Sequence, residues 1–121
     1  MQNTNKRKLG TVYEDIAVDY LKQQGYRIVK QNYRNRFGEI DIIAEKDHLL
    51  VIVEVKFRNN DNCGDPLEAV DYRKQKRISK ITLFYYMEQG YHESHPCRFD
   101  VIAIYGDGQL KHIENAFEFC G

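Results

Sequence analysis

Asp41, Glu54 and Lys56 are the side chains whose types and spacing best suit a chemical task in this chain of 121 residues. They fall within GEIDIIAEKDHLLVIVEVKFR, residues 38–58, which reads as two strands, Glu39–Glu45 and Leu49–Phe57, joined by a short turn near Asp47-His48. Side chains alternate between the faces of a strand. Ile40, Ile42 and Ala44 therefore share one face of the first strand, and Val51, Val53, Val55 and Phe57 share one face of the second. That face is wholly apolar. A two-residue turn pairs positions whose numbers sum to 95, setting Asp41 opposite Glu54 and Glu39 opposite Lys56. On the second face Ile43, Leu50 and Ile52 lie near the turn, while Glu39, Asp41, Glu54, Lys56 and Arg58 gather at the open end.

Carboxylates about 5 Å apart across a hairpin repel unless positive charge stands between them. Magnesium and manganese prefer oxygen donors, so Asp41, Glu54 and the backbone carbonyl of Val55 suit such an ion. Lys56 adds an ammonium on the same face. These are the parts needed to attack a phosphodiester: a cation to acidify water and offset developing charge, and a donor to place the nucleophile. An acid two residues before a Lys arises by chance about once or twice in a chain of this composition, so the tripeptide alone says little. Its setting says more, because Glu54 and Lys56 interrupt an aliphatic strand and Asp41 lies upstream at matching parity. A solvated hairpin end with a Glu39–Lys56 ion pair accounts for the same residues without any function.

Asp41…Glu54-x-Lys56 resembles the PD-(D/E)XK pattern of the restriction-endonuclease-like superfamily. More narrowly, GEIDIIA…VIVEVKFR resembles the YraN-like family of small bacterial proteins, whose architecture is similar to that of Holliday-junction resolvases. The likeness runs through Gly10-x-x-x-Glu14, Ala17, Tyr20-Leu21, Gly25-Tyr26, the hairpin, Gly64-x-Pro66…Glu68-Ala69-Val70, Lys74, Arg98-Phe99-Asp100-Val101 and Asn115-Ala116-Phe117. Two departures stand out: Tyr13 replaces a Gly usual in that family, and Ile40 precedes Asp41 where the superfamily's name has Pro. The resemblance implies a restriction-endonuclease-like fold, a magnesium (or manganese) site at Asp41 and Glu54, and Lys56 positioning water. It also implies that Glu14 leans over the sheet toward Asp41, where geometry alone makes it a surface Glu. The expected activity is metal-dependent cleavage of DNA at branched or distorted sites, with Glu39 assisting and a homodimer as one assembly. Two rival functions remain in view: a nucleic-acid-binding module without turnover, and an interaction subunit of a DNA-processing assembly.

The length fits one domain that buries roughly two-thirds of its unfolded surface. No apolar run approaches a membrane span and the N-terminus lacks a signal-peptide core, so a cytoplasmic location is expected. Cys63, Cys97 and Cys120 are three and widely spaced, which argues against a disulfide framework. His92, His95 and Cys97 form H-x-x-H-x-C, but with no fourth ligand evident the segment reads as a loop. The zero net charge is unevenly spread: residues 1–36 carry eight basic against three acidic residues, and residues 37–72 carry three against nine. Metal-binding carboxylates ringed by phosphate contacts would show this segregation.

The elements that must position these groups follow from periodicity. Residues 1–8, with Lys6, Arg7 and Lys8, read as a mobile basic arm ahead of a domain at 9–121. A helix is expected from Thr11 to Gln24, ended by Gly25, with Leu9, Val12, Tyr13, Ile16, Ala17, Tyr20 and Leu21 as its apolar stripe. Arg27–Tyr33 reads as a strand. Tyr33, Arg34, Arg36 and Phe37 then offer guanidiniums for phosphates and rings for stacking on unpaired bases, or core packing for the rings. Asn59–Asp65 reads as a loop, and Pro66 opens a helical segment to Gln89 in which Asp71 is a candidate break. Arg73, Lys76, Arg77 and Lys80 share one face of it, and Lys74 falls inside the apolar stripe, where an unpaired ammonium is costly. Lys74 is therefore expected to snorkel or to reach toward the acidic centre and a bound phosphate. Arg34, Arg36, Arg58, Arg73, Lys74 and Arg77 are the expected nucleic-acid contacts. Arg98–Tyr105 and Gln109–Glu114 read as strands about a Gly106-Asp107-Gly108 turn, with Arg98 and Asp100 either supporting the site or pairing at a sheet margin. The tail Asn115–Gly121, with Phe117 and Phe119, is expected to pack on the body or on a second subunit. The order α-β-β-β-α-β-β specifies an α/β fold with a mixed central sheet flanked by helices.

Overall fold

The computed structural model describes residues 2–59 and 70–120, the side chains of residues 2–9 excepted. Expectations for Cys63, Gly64, Pro66, Leu67, Glu68 and Ala69 lie outside the described residues. The chain forms α1 (Gln2–Gln23), β1 (Arg27–Asn35), β2 (Gly38–Lys46), β3 (Leu49–Arg58), α2 (Tyr72–Gln89), β4 (Cys97–Tyr105) and β5 (Leu110–Phe117). The strands make a mixed five-stranded sheet in chain order, parallel only between β3 and β4, where α2 supplies the crossover. This is the α/β layout expected, with the expected element order.

The sheet has a helix on each face. Ala17, Val18 and Leu21 of α1 pack with Ile42, Ala44, Val51, Val53, Ile102 and Ile104. Ile78, Ile81, Tyr85 and Tyr86 of α2 pack with Ile40, Ile43, Leu50, Ile52, Phe99 and Val101 on the other side. Most of these side chains are fully enclosed, and each of the larger aliphatic ones contributes about 1.5–3 kcal/mol relative to exposure.

The β2–β3 hairpin has the expected register, with Ile42↔Val53 and Lys46↔Leu49. Its turn residues Asp47 (φ 52°) and His48 (φ 67°) are both left-handed, the backbone a two-residue hairpin needs to match strand twist. Helix α2 begins just after Asp71, the candidate break in the longer segment expected from Pro66, and stops at Gly90 as expected. Asp71 accepts a bond from the Lys74 N–H, and Gly90 closes the far end in the left-handed region (φ 71°).

Several details differ from the sequence reading. Helix α1 begins at Gln2, so the basic stretch that was expected as an arm is helical. Gln, Lys, Arg and Leu are good helix formers, and extending an existing helix costs little per residue. The apolar stripe of α1 also differs in part: Tyr13, Ala17, Tyr20 and Leu21 pack on the sheet as expected and Val18 joins them, while Val12 and Ile16 are about half exposed. Finally, Ile40 leaves the face of Ile42 and joins the α2-side cluster. The strand turns over at Asp41, which lies between them.

Candidate functional site

The turnover at Asp41 marks a fork in the sheet. Strand β2 stays paired with β1 through Gly38, and β3 stays paired with β4 through Arg58, but β2 and β3 part beyond Ile42↔Val53. Expected pairings of Asp41 with Glu54 and of Glu39 with Lys56 are thus replaced by an opening. Separation would orphan the inward N–H of Val55, and Asp41 Oδ2 accepts it at 2.8 Å. In a strand the N–H and C=O of one residue leave on the same side, so the Val55 carbonyl opens into the fork as well.

Glu54 stands across the fork on β3 and is only 5% exposed. Lys74 Nζ approaches its Oε2 at 3.4 Å and Lys56 Nζ at 3.8 Å. Lys74 therefore does reach inward from α2 to the acidic centre. Glu14 arrives from α1 within hydrogen-bonding reach of Asp41. The structure brings together Glu14, Asp41, Glu54, Lys56 and Lys74, from both helices and both strands of the fork.

The electrostatics are strained toward positive charge. Burial, and then the Asp41 charge, push the Glu54 carboxyl up to about 7 despite Lys74 and Lys56. Burial also raises Asp41, against the opposing pull of the Val55 N–H, Lys56 and Lys74. Glu14 is raised by burial and by Asp41. Burial and then the neighbouring Lys74 lower the Lys56 ammonium. Mutually perturbed ionisable groups gathered in one place make the fork the candidate site.

Among the described residues, no three His, Cys, Asp or Glu side chains form a ready-made metal cage. A hard cation still fits the donor chemistry. Magnesium commonly takes one or two protein carboxylates and keeps several waters. Asp41 and Glu54 are two such carboxylates, under-neutralised, with the Val55 carbonyl oxygen in the same opening.

Other expected groups sit at the margin. Glu39 is exposed, and it pairs with Arg34 of β1 at 3.0 Å rather than with Lys56, because β2 follows β1 here. Asn32, with its amide nitrogen turned to the carboxylates, donates to Glu39 Oε1 at 3.0 Å and Glu14 Oε1 at 2.9 Å. It thereby ties the margin to the centre. Sequence reasoning missed Asn32; its left-handed backbone (φ 52°), which Asn tolerates better than most residues, has no pattern in the sequence to announce it.

Arg58 lies farther along β3 on the Glu54 side, with its buried Nε unpartnered. Arg73, Lys76, Arg77 and Lys80 line a separate cleft with Phe37. Arg36 lies over the Phe37 ring, 4.8 Å from its centre. Tyr33 is core, only 4% exposed and hydrogen-bonded to Glu88 at 2.6 Å, which removes it as a base-stacking platform. Arg98 and Asp100 pair on the α1 side of the sheet, away from Glu54 and Lys56, where Tyr26 and His112 join them.

The model of the Uncharacterised protein family UPF0102 matches residues 13–104, a span that includes every residue at the fork. The chain belongs to the UPF0102 family. A UPF0102 protein of Thermodesulfovibrio yellowstonii is 46% identical over 110 residues, covering 91% of this chain and 96% of its own. One from Lachnoclostridium phytofermentans is 44% identical over 117 residues, covering 97% and 98%. Another, from Syntrophus aciditrophicus, is 48% identical over 120 residues, covering 97% and 91%. The family expected from the motifs is thus the family found. No helix among the described residues is long and apolar enough to cross a membrane.

Proposed function

We propose that this UPF0102 domain is a divalent-metal-dependent endonuclease that hydrolyses phosphodiester bonds in branched or otherwise distorted DNA. The observation that carries this reading is the fork itself. Glu54 is buried and Asp41 half-buried on facing strands, each raised by burial, with Lys56 and Lys74 against the first.

Asp41 and Glu54 would hold magnesium or manganese, with the Val55 carbonyl as a further oxygen donor. When bound, such an ion supplies positive charge to the phosphoryl oxygens and acidifies water. The remaining work falls to the chain's own groups. The Val55 N–H fixes the Asp41 carboxylate in one orientation. Lys56 donates a hydrogen bond that orients the attacking water, and its lowered pKa eases proton exchange there. Lys74 and Arg58 hold phosphate oxygens. Glu14 sets the charge and orientation of Asp41, and Glu39 acts through Asn32 as a positioning residue.

The test is a cleavage screen of duplex, flap, single-stranded and four-way DNA with magnesium or manganese. Lys56→Ala, and the double variant Asp41→Ala with Lys56→Ala, serve as controls. Cleavage by the parent should fall about 10²–10³-fold in Lys56→Ala. Undiminished cleavage by the double variant, or no cleavage of any substrate by the parent, overturns the reading. A second reading, a DNA-binding module without turnover, is favoured by Lys74 already partly neutralising Glu54. Salt-sensitive binding with no cleavage under either metal would select it.

A further inference from the structure

We infer that the cleft between Phe37 and the basic face of α2 is a second nucleic-acid subsite, which clamps one unpaired DNA nucleotide. Its phosphate would lie against Arg73, Lys76, Arg77 and Lys80, and its base against the Phe37 ring. This deepens the DNA reading above by naming a structural feature of the substrate.

Helix α2 presents two sets of cations. Lys74 points inward to Glu54, whereas Arg73, Lys76, Arg77 and Lys80 line a cleft of about 330 Å³ with Phe37 at its side. From residue 73 to residue 80 a helix rises about 10 Å, so the positive row can follow a short stretch of backbone. Among the described residues, none of these four cations forms a salt bridge to an acidic side chain. Lys76 rests over the Tyr72 ring at 5.5 Å, and Tyr72 is itself 65% exposed. Clustered like charges repel one another, and a phosphate would relieve this.

The ring is held for the purpose. Phe37 packs edge-on against Phe84, with centroids 6.2 Å apart. At Gly38 (φ 142°) an added Cβ would lie 3.4 Å from Arg77 Cδ and 3.1 Å from Ile81 Cδ1, so the absent side chain lets α2 close on the hairpin. The exposed Arg36 guanidinium lies over the ring. An exposed cation–π contact contributes about 0.5–1 kcal/mol, whereas a base stacked on an aromatic ring contributes about 1–3 kcal/mol. Exchanging Arg36 for a base is therefore favourable, and it frees the guanidinium for a phosphate. A base inside a duplex is stacked on both faces and offers none to the ring. The cleft also has the size of a small-ligand pocket rather than of a duplex.

The experiment measures binding of fluorescein-labelled DNA in EDTA, with and without a short unpaired segment, across a salt series. Phe37→Leu should weaken binding of the partly unpaired DNA about tenfold and leave the full duplex within twofold, and Phe37→Tyr should restore it. Because Phe37 also touches the core, Arg77→Ala with Lys80→Ala provides an independent arm on exposed positions. That pair should flatten the log affinity against log salt slope by about 1–1.5 for the unpaired substrate. Equal losses on both DNAs, or unchanged binding in both arms, overturn the subsite. A parent that binds as expected but never cleaves sinks the nuclease reading and leaves the subsite standing. Cleavage with no dependence on Phe37, Arg77 or Lys80 does the reverse.

Discussion

Two carboxylate clusters are buried in this sheet, and they are completed to different degrees. On the α1 side, Asp100 is 1% exposed and uses all of its acceptor capacity. Its Oδ1 takes Arg98 Nε at 2.7 Å and the Asn115 N–H at 3.1 Å, while Oδ2 takes Arg98 Nη2 and His112 Nε2, each at 2.7 Å. His112 passes the chain on to the Tyr20 hydroxyl at 2.9 Å, and Arg98 to the Tyr26 hydroxyl at 2.7 Å. At the fork, Asp41 has the Val55 N–H, and Glu54 has two lysines at 3.4 and 3.8 Å, longer than a charge-assisted bond of about 2.7–2.9 Å. A buried carboxylate with every lone pair answered locks the fold. One partnered less completely, as at the fork, is where the proposed cation would bind.

The largest expected effect sharpens this contrast. Asp100→Ala removes the main partner of the mostly buried Arg98 guanidinium and leaves it only the exposed Glu114 carboxylate at 3.8 Å and the Tyr26 hydroxyl, so it should cost about 3 kcal/mol in chemical denaturation. A loss below about 1 kcal/mol would mean that the α1-side network is dispensable, and the comparison would fail. The same cluster should govern acid stability. Burial alone would raise the Asp100 carboxyl, but His112, Arg98 and the Asn115 N–H outweigh it and hold the group below its ordinary value. Its contribution is then present above the unfolded pKa of about 3.9 and is lost as pH falls through the lower folded one. The denaturation midpoint of the parent should decline below about pH 4, and one that rises there contradicts the assignment.

The two clusters also differ in how visible they were in the sequence. Strand parity and a two-residue turn were enough to place Asp41, Glu54 and Lys56 near one another, because both are local rules. The opening between β2 and β3 was not legible. It depends on β2 following β1 while β3 follows β4, a competition between long-range pairings, and it moved Ile40 to the opposite face and Glu39 to Arg34. The Asp100 network was half legible. Arg98 and Asp100 alternate correctly on β4, but Tyr20, Tyr26 and His112 come from three other parts of the chain and only the fold assembles them. On α1 the sheet-facing Tyr13, Ala17, Tyr20 and Leu21 were legible, but Val12, Ile16 and Val18 are equally apolar and tertiary packing alone selects among them.

A change at the fork should have the opposite sign from Asp100→Ala. Glu54→Gln removes a charge that burial and Asp41 disfavour, so metal-free protein should be unchanged or up to about 2 kcal/mol more stable. The parent should gain melting temperature as manganese is added, through binding to the folded state, and this gain should vanish in the variant. A Glu54→Gln protein clearly less stable than the parent would show that the fork is as structurally complete as the Asp100 cluster.

The smallest effect concerns Lys74, whose ammonium stands 3.4 Å from Glu54 with about a fifth of its side chain exposed. If the lysine occupies the place of missing positive charge, it competes with any cation that Glu54 receives. Lys74→Met keeps the aliphatic stem against the α2-side core and removes only the charge. A partly exposed pair of this kind is worth no more than about 1 kcal/mol, so manganese affinity should rise about three- to fivefold in a calorimetric titration. DNA binding should weaken in the same variant, since a phosphate contact is lost. If manganese affinity falls instead, Lys74 is supporting the fork carboxylates rather than competing for them, and the fork is nearer to the finished state of its counterpart on the α1 side.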